Sequence, residues 1–173
     1  KLLEKRISFA GCDQGEVRGS PASISRFSDF YNAMVRRGYS KKPVLLGQSR
    51  GGLMMLSWAV RNPNMLGGYA GIYPVQNLRS WPMKRNFSTT LHDFGMDEKA
   101  FIEKIEEHNP INHLGRMAKS KVPIYIVHGD SDQVVPLEEN SGLVQERYQK
   151  LGGKVEVEIV PGARHQVVDA FFK

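Results

Sequence analysis

The chain has 173 residues, of which 40% are hydrophobic and 24% charged. This is the balance of one packed globular domain over residues 1–173, and it excludes a disordered, fibrous or collagenous chain. The net charge is +6, but the basic residues fall in short groups beside turns (Arg36-Arg37, Lys41-Lys42, Lys84-Arg85, Lys119 and Lys121), so nucleic acid is not an expected partner. A lone cysteine, Cys12, excludes an internal disulfide and a Cys-rich metal site, and no apolar run reaches the roughly 18 residues of a membrane span.

In chain order, Arg6–Cys12 (RISFAGC) is a short apolar run that predicts a buried strand, followed by a loop through Gly19, Ser20 and Pro21. Ser23 then precedes Phe27, Phe30, Tyr31, Met34 and Val35, a spacing that lays one apolar stripe along a helix closed by Gly38. Val44-Leu45-Leu46 is apolar without alternation, as in a strand of a parallel sheet covered on both faces. A helix is expected after Ser49, running through Leu53 to Val60 and stopping near Asn62-Pro63 because proline disfavours helical geometry in the residue before it. A third strand reads from Gly68 to Tyr73.

From Gln76 to about Ser120 the pattern loosens around a charged helix over Asp97–His108, and residues 76–120 are expected to form a cap-like insertion. Val122–Val127 predicts a fourth strand, Pro136–Leu151 a helix closed by Gly152-Gly153, Val155–Val160 a fifth strand, and Gln166–Phe172 a short final helix. Strands alternating with helices imply a mostly parallel α/β sheet of five strands with helices on both faces. In such sheets the chemistry collects at the carboxyl ends of the strands.

Gly47-Gln48-Ser49-Arg50-Gly51 matches G-x-S-x-G between an apolar strand and an apolar-periodic helix, the context that turns the motif into an exposed nucleophile. Glycines on either side of Ser49 are expected because side chains there would collide with neighbouring chain. The backbone N–H of Arg50, at the start of the following helix, is placed to bind a developing oxyanion. His128-Gly129-Asp130-Ser131-Asp132 follows the fourth strand, and either carboxylate can orient an imidazole. Gly162-Ala163-Arg164-His165 follows the fifth strand and delivers that imidazole. His92, His108 and His113 read as surface or packing residues, His128 as structural, and Trp81, Phe87 and Phe94 as core before pocket lining.

The GQSRGG elbow (residues 47–52), the HGDSDQVVP loop (128–136) and the GARH loop (162–165) together resemble the α/β-hydrolase superfamily. The likeness is closest to its esterase-like bacterial branch, near the dienelactone hydrolases and the catalytic domain of prolyl oligopeptidase, and it runs over nearly the whole chain. The order Ser49, Asp132, His165 is the order of that fold. The resemblance implies that Asp132, the second aspartate of its loop, is the acid, while Asp130 braces the loop. It implies that the chain supplies the superfamily's last five strands, that the first three and a second oxyanion donor lie outside it, and that it is a fragment. It implies a serine hydrolase with neither metal nor organic cofactor. A small-molecule carboxylic ester is the first expected substrate; a peptidase of prolyl oligopeptidase type and a non-catalytic binding protein on a hydrolase fold are the alternatives.

Overall fold

The sheet carries four strands, β1 (Val44–Gln48), β2 (Gly68–Ile72), β3 (Ile124–Gly129) and β4 (Val155–Val160), adjacent in that order and all parallel. The structure, a computed structural model, describes residues 3–15, 17–167 and 169. Parallel neighbours need crossovers, and helices supply them: α2 (Arg50–Arg61) joins β1 to β2, and α7 (Ser141–Lys150) joins β3 to β4. Helix α1 (Pro21–Arg36) precedes β1, with Pro21 at its first position, where a missing N–H costs nothing. Between β2 and β3 lie α3 (Trp81–Arg85), α4 (Phe87–Phe94), α5 (Glu98–His108) and α6 (Leu114–Lys119). Asp97 caps α5 by accepting the Ala100 N–H at 2.8 Å.

The main core forms on one face of the sheet. Leu45, Tyr69, Ile124 and Ile126 point into it, and α1, α2, α6 and α7 cover them with Phe27, Leu56, Trp58, Met117, Val144 and Tyr148. The stripe read from Phe27 to Val35 is visible here: Phe27 and Tyr31 meet the fully buried Trp58 at 5.3 and 5.4 Å between ring centroids. A second cluster joins Leu53 of α2 and Val75 to Phe94, Phe101 and Ile105 of the segment between β2 and β3, with Trp81 and Phe87 packed against it. On the opposite face, Val44, Leu46 and Tyr125 are 65%, 45% and 42% exposed, while Ile72 and Val127 are buried in a small cluster with Tyr73. No helix among the described residues is long and apolar enough to cross a membrane.

Three expectations are corrected. Arg6–Cys12 is not a strand: no described strand pairs with it, and Ile7 and Phe9 are 47% and 76% exposed. An apolar run becomes a strand only when a neighbour takes up its N–H and C=O groups. The sheet therefore has four strands rather than five. The helix read from Pro136 begins at Ser141, because Asn140 is held in a non-helical conformation by its buried side chain. Its Oδ1 accepts the Gln76 N–H at 2.9 Å and its Nδ2 donates to Ser80 Oγ and Pro136 O. The strand read at Val122–Val127 runs from Ile124 to Gly129, two residues nearer the acid loop, since Pro123 has no N–H to give the ladder. The helix read at Gln166–Phe172 lies largely outside the described residues.

Trp58 is the wedge between α1 and α2, and its Nε1–H also donates to Ser28 Oγ at 2.9 Å. Trp58→Ala is expected to lower the unfolding free energy by about 3–5 kcal/mol, read from the midpoint of urea denaturation.

Candidate functional site

Ser49 sits at the turn between β1 and α2 with φ 47° and ψ −124°. A left-handed φ is costly for any residue with a Cβ and persists only where the surroundings fix it. Here three backbone bonds do so: the Ser49 N–H donates to Ile72 O at 3.1 Å, and its carbonyl accepts from Gly52 and Val75 at 2.9 and 2.8 Å.

The glycine requirement differs in part from expectation. A Cβ at Gly47 would lie 2.6 Å from Gly52 Cα, and one at Gly52 would lie 2.3 Å from Pro74 Cβ. At Gly51 nothing lies within 4 Å. The crowding falls on Gly47 and Gly52 because β1 turns back against its own helix while the chain leaving β2 crosses behind it. Gly51, one residue earlier on the helix, faces open space.

The residues expected to be acid and base lie in the loops after β3 and β4. Asp132, with a side chain fully buried, accepts the Val134 and Val135 N–H groups at Oδ1, both at 2.9 Å. Its Oδ2 lies 2.7 Å from His165 Nδ1, and His165 Nε2 lies 2.8 Å from Ser49 Oγ. Burial alone would push the Asp132 carboxyl up, but the His128 and His165 rings and the Val135 amide outweigh it and hold the group well below the usual carboxylate range. Asp130 instead accepts the Gly162 N–H at 2.7 Å, which ties the acid loop to the base loop. The fit is close, since a Cβ at Gly129 would lie 2.1 Å from Ala163 O.

Arg50 opens α2 and is exposed. An open cleft of about 590 Å³ borders Asp132 and is lined by Asp130, Gln133, Glu138 and Arg164.

Tyr73 adjoins these residues and was missed by motif reading. It follows β2 with φ 34°, and its ring packs edge-on against the His165 imidazole at 4.6 Å between centroids. Its hydroxyl accepts from Gln48 Nε2, beside the serine. Tyrosine is unusual at left-handed φ, but no local sequence signal points to that conformation. Away from these loops, the His92 side chain is 89% exposed, His113 Nε2 contacts Glu107 O at 2.7 Å, and His108 is buried against Phe94.

The sequence model of the prolyl oligopeptidase family matches residues 24–171. No curated protein sequence matches the chain. Among solved structures, a puromycin hydrolase superposes with a TM-score of 0.70 at 21% identity, over 87% of this chain and 23% of its own. The Pyrococcus horikoshii acylaminoacyl peptidase gives 0.67 at 14% identity, over 82% and 23%. The Porphyromonas gingivalis dipeptidyl peptidase 4 gives 0.68 at 17% identity, over 84% and 20%. The shared architecture is the α/β-hydrolase fold, and the chain spans less than a quarter of the length of these three proteins.

Two outcomes test this geometry. Gly52→Ala is expected to cost about 1–3 kcal/mol because Pro74 must move, whereas Gly51→Ala, with room for its methyl, is expected to leave thermal stability unchanged or slightly raised. Because the folded Asp132 carboxyl ionises at lower pH than its unfolded counterpart (about 3.9), its contribution to stability is complete above that value and fades as pH falls. Asp132→Asn is therefore expected to flatten the acid decline of unfolding free energy between about pH 4 and pH 2, followed by urea denaturation at each pH.

Proposed function

The chain belongs to the prolyl oligopeptidase family, and on that premise we propose that it carries the catalytic groups of a serine peptidase, with Ser49 as nucleophile, His165 as base and Asp132 as acid. The observation that carries this reading is the line of contacts from Ser49 Oγ through the His165 ring to Asp132, 2.8 and 2.7 Å long. Both lie within the hydrogen-bond range that proton transfer requires.

His165 Nε2 takes the Ser49 proton as Oγ attacks the acyl carbon, and Asp132 holds the imidazole by its Nδ1–H and stabilises the imidazolium that forms. The backbone N–H of Arg50 binds the oxyanion, supported by its place at the first residue of α2, where the helix dipole favours negative charge. The imidazolium then protonates the leaving amine, and water, activated by the same base, releases the acyl group from Ser49. No step calls on a metal or an organic cofactor. Tyr73 walls one side of the base, so that the ring keeps the orientation that serves both partners.

The family and the peptidases among its structural neighbours favour an amide or peptide bond over the carboxylic ester first expected from the sequence. In full-length protein, a fluorophosphonate probe is expected to label Ser49 alone, with labelling lost in Ser49→Ala and turnover lower by about 10⁶. Comparison of a peptide anilide with an aryl ester of the same acyl group decides the bond class. A clear anilide preference is expected, and activity confined to the ester would restore the esterase reading. An unlabelled, folded protein would make it a binding protein on a hydrolase fold.

A further inference from the structure

We propose that His128 is a second imidazole on the Asp132 carboxylate, a positioning residue that holds the acid for His165; the inference rests on the role proposed above for Asp132. His128 is the last residue but one of β3, has no solvent exposure, and has both its ring nitrogens engaged. Nε2 lies 2.9 Å from Val135 O and 3.5 Å from Asp132 Oδ2. A carbonyl oxygen only accepts, so Nε2 carries the proton and directs it into the fork between that carbonyl and Oδ2. Val135 is thereby gripped at both ends: its N–H donates to Asp132 Oδ1 at 2.9 Å and its carbonyl accepts from His128. Oδ2 is the oxygen that faces His165 Nδ1 at 2.7 Å. Two rings, one on β3 and one on the loop after β4, thus converge on one carboxylate oxygen, and His128 acts on the acid–base hydrogen bond as well as on the loop.

The tautomer is fixed from behind. The Ser141 hydroxyl lies 2.7 Å from His128 Nδ1 and 3.2 Å from Gln76 Oε1, and its single proton goes to the shorter contact. With its amide turned so that the NH₂ faces Ser141, Gln76 places its oxygen about 3.5 Å from the Tyr69 hydroxyl, which donates to Gly52 O at 3.3 Å. Burial pushes the Tyr69 hydroxyl up, so it remains a donor. Gln76, His128 and Ser141 are all wholly buried, so each proton must be spent on another protein atom, and one ordered chain of donors ends at Asp132.

Long-range ¹H–¹⁵N spectra of the imidazoles in the full chain test this without turnover. His128 is expected to carry one proton, on Nε2. In His128→Leu the competing donor is gone, Oδ2 becomes a stronger acceptor, and the His165 Nδ1–H resonance is expected to move further downfield. His128→Gln, whose amide reaches toward the same place, should bring it back toward the wild-type position. A His128 proton on Nδ1, or a His165 resonance that stays put or moves upfield in folded His128→Leu, overturns the proposal. If the leucine variant does not fold, Ser141→Ala removes only the hydroxyl that sets the tautomer, and an unmoved His165 resonance there has the same meaning. Expected spectra in a protein whose Ser49 does not label would sink the catalytic reading alone.

Discussion

The parallel register of the sheet is the constraint from which the site follows. The ends of β1 and β2 are level at Gln48 and Ile72, and those of β3 and β4 at Gly129 and Val160. The pairing also continues one residue beyond each strand: Ser49 N–H donates to Ile72 O, Tyr73 N–H to Val127 O, and Asp130 N–H to Val160 O, at 3.1, 2.8 and 3.4 Å. The first loop residue after each of β1, β2 and β3 is therefore hung from the next strand. Ser49, Tyr73, the acid loop and the base loop leave the sheet at one edge because every strand runs the same way, and the side chains need only short reaches to meet.

Close packing behind that edge sets the angles. Gly47 and Gly52 let β1, α2 and Pro74 approach within distances no side chain would allow, and this turns Ser49 outward. Gly129 does the same for the acid loop, against Ala163 of the base loop. Beneath both runs a buried polar layer of Gln76, His128, Asn140 and Ser141, which links the chain leaving β2 to the start of α7. Its members satisfy one another, so they specify the positions of these loops without leaving open a buried hydrogen-bonding group among those four side chains.

Much of this was legible in the sequence, for physical reasons. Ser49 stood out because its motif lies where an unalternating apolar strand gives way to a helical stripe, and the ends of α2 and α5 followed from Pro63 and Asp97. The loops of Asp132 and His165 were found because each follows a short strand pattern, the apolar run of β3 and the alternating VEVEIV of β4. What escaped depends on partners remote in sequence. Arg6–Cys12 has the composition of a strand, but pairing decides strand formation, and composition is silent on pairing. Gly51 matched the motif, yet the collision lies at Gly52, since Pro74 comes from another loop. Tyr73 and Asn140 hold conformations that their own neighbours in sequence do not favour and that only tertiary contacts maintain.

The ties between the loops also group the residues of the candidate site. Asp130 to Gly162, Ser131 to Ala163 and the Gly129–Ala163 contact fasten the loops of Asp132 and His165 to each other. Ser49 stands in a separate group, at the turn of β1 into α2, with β2 between. The contact from Ser49 Oγ to His165 Nε2 joins the two groups, and it is the one across which the proposed mechanism moves a proton. Tyr73, bonded to Gln48 of one group and packed edge-on against His165 of the other, is the spacer that holds the two apart at the width of one aromatic ring.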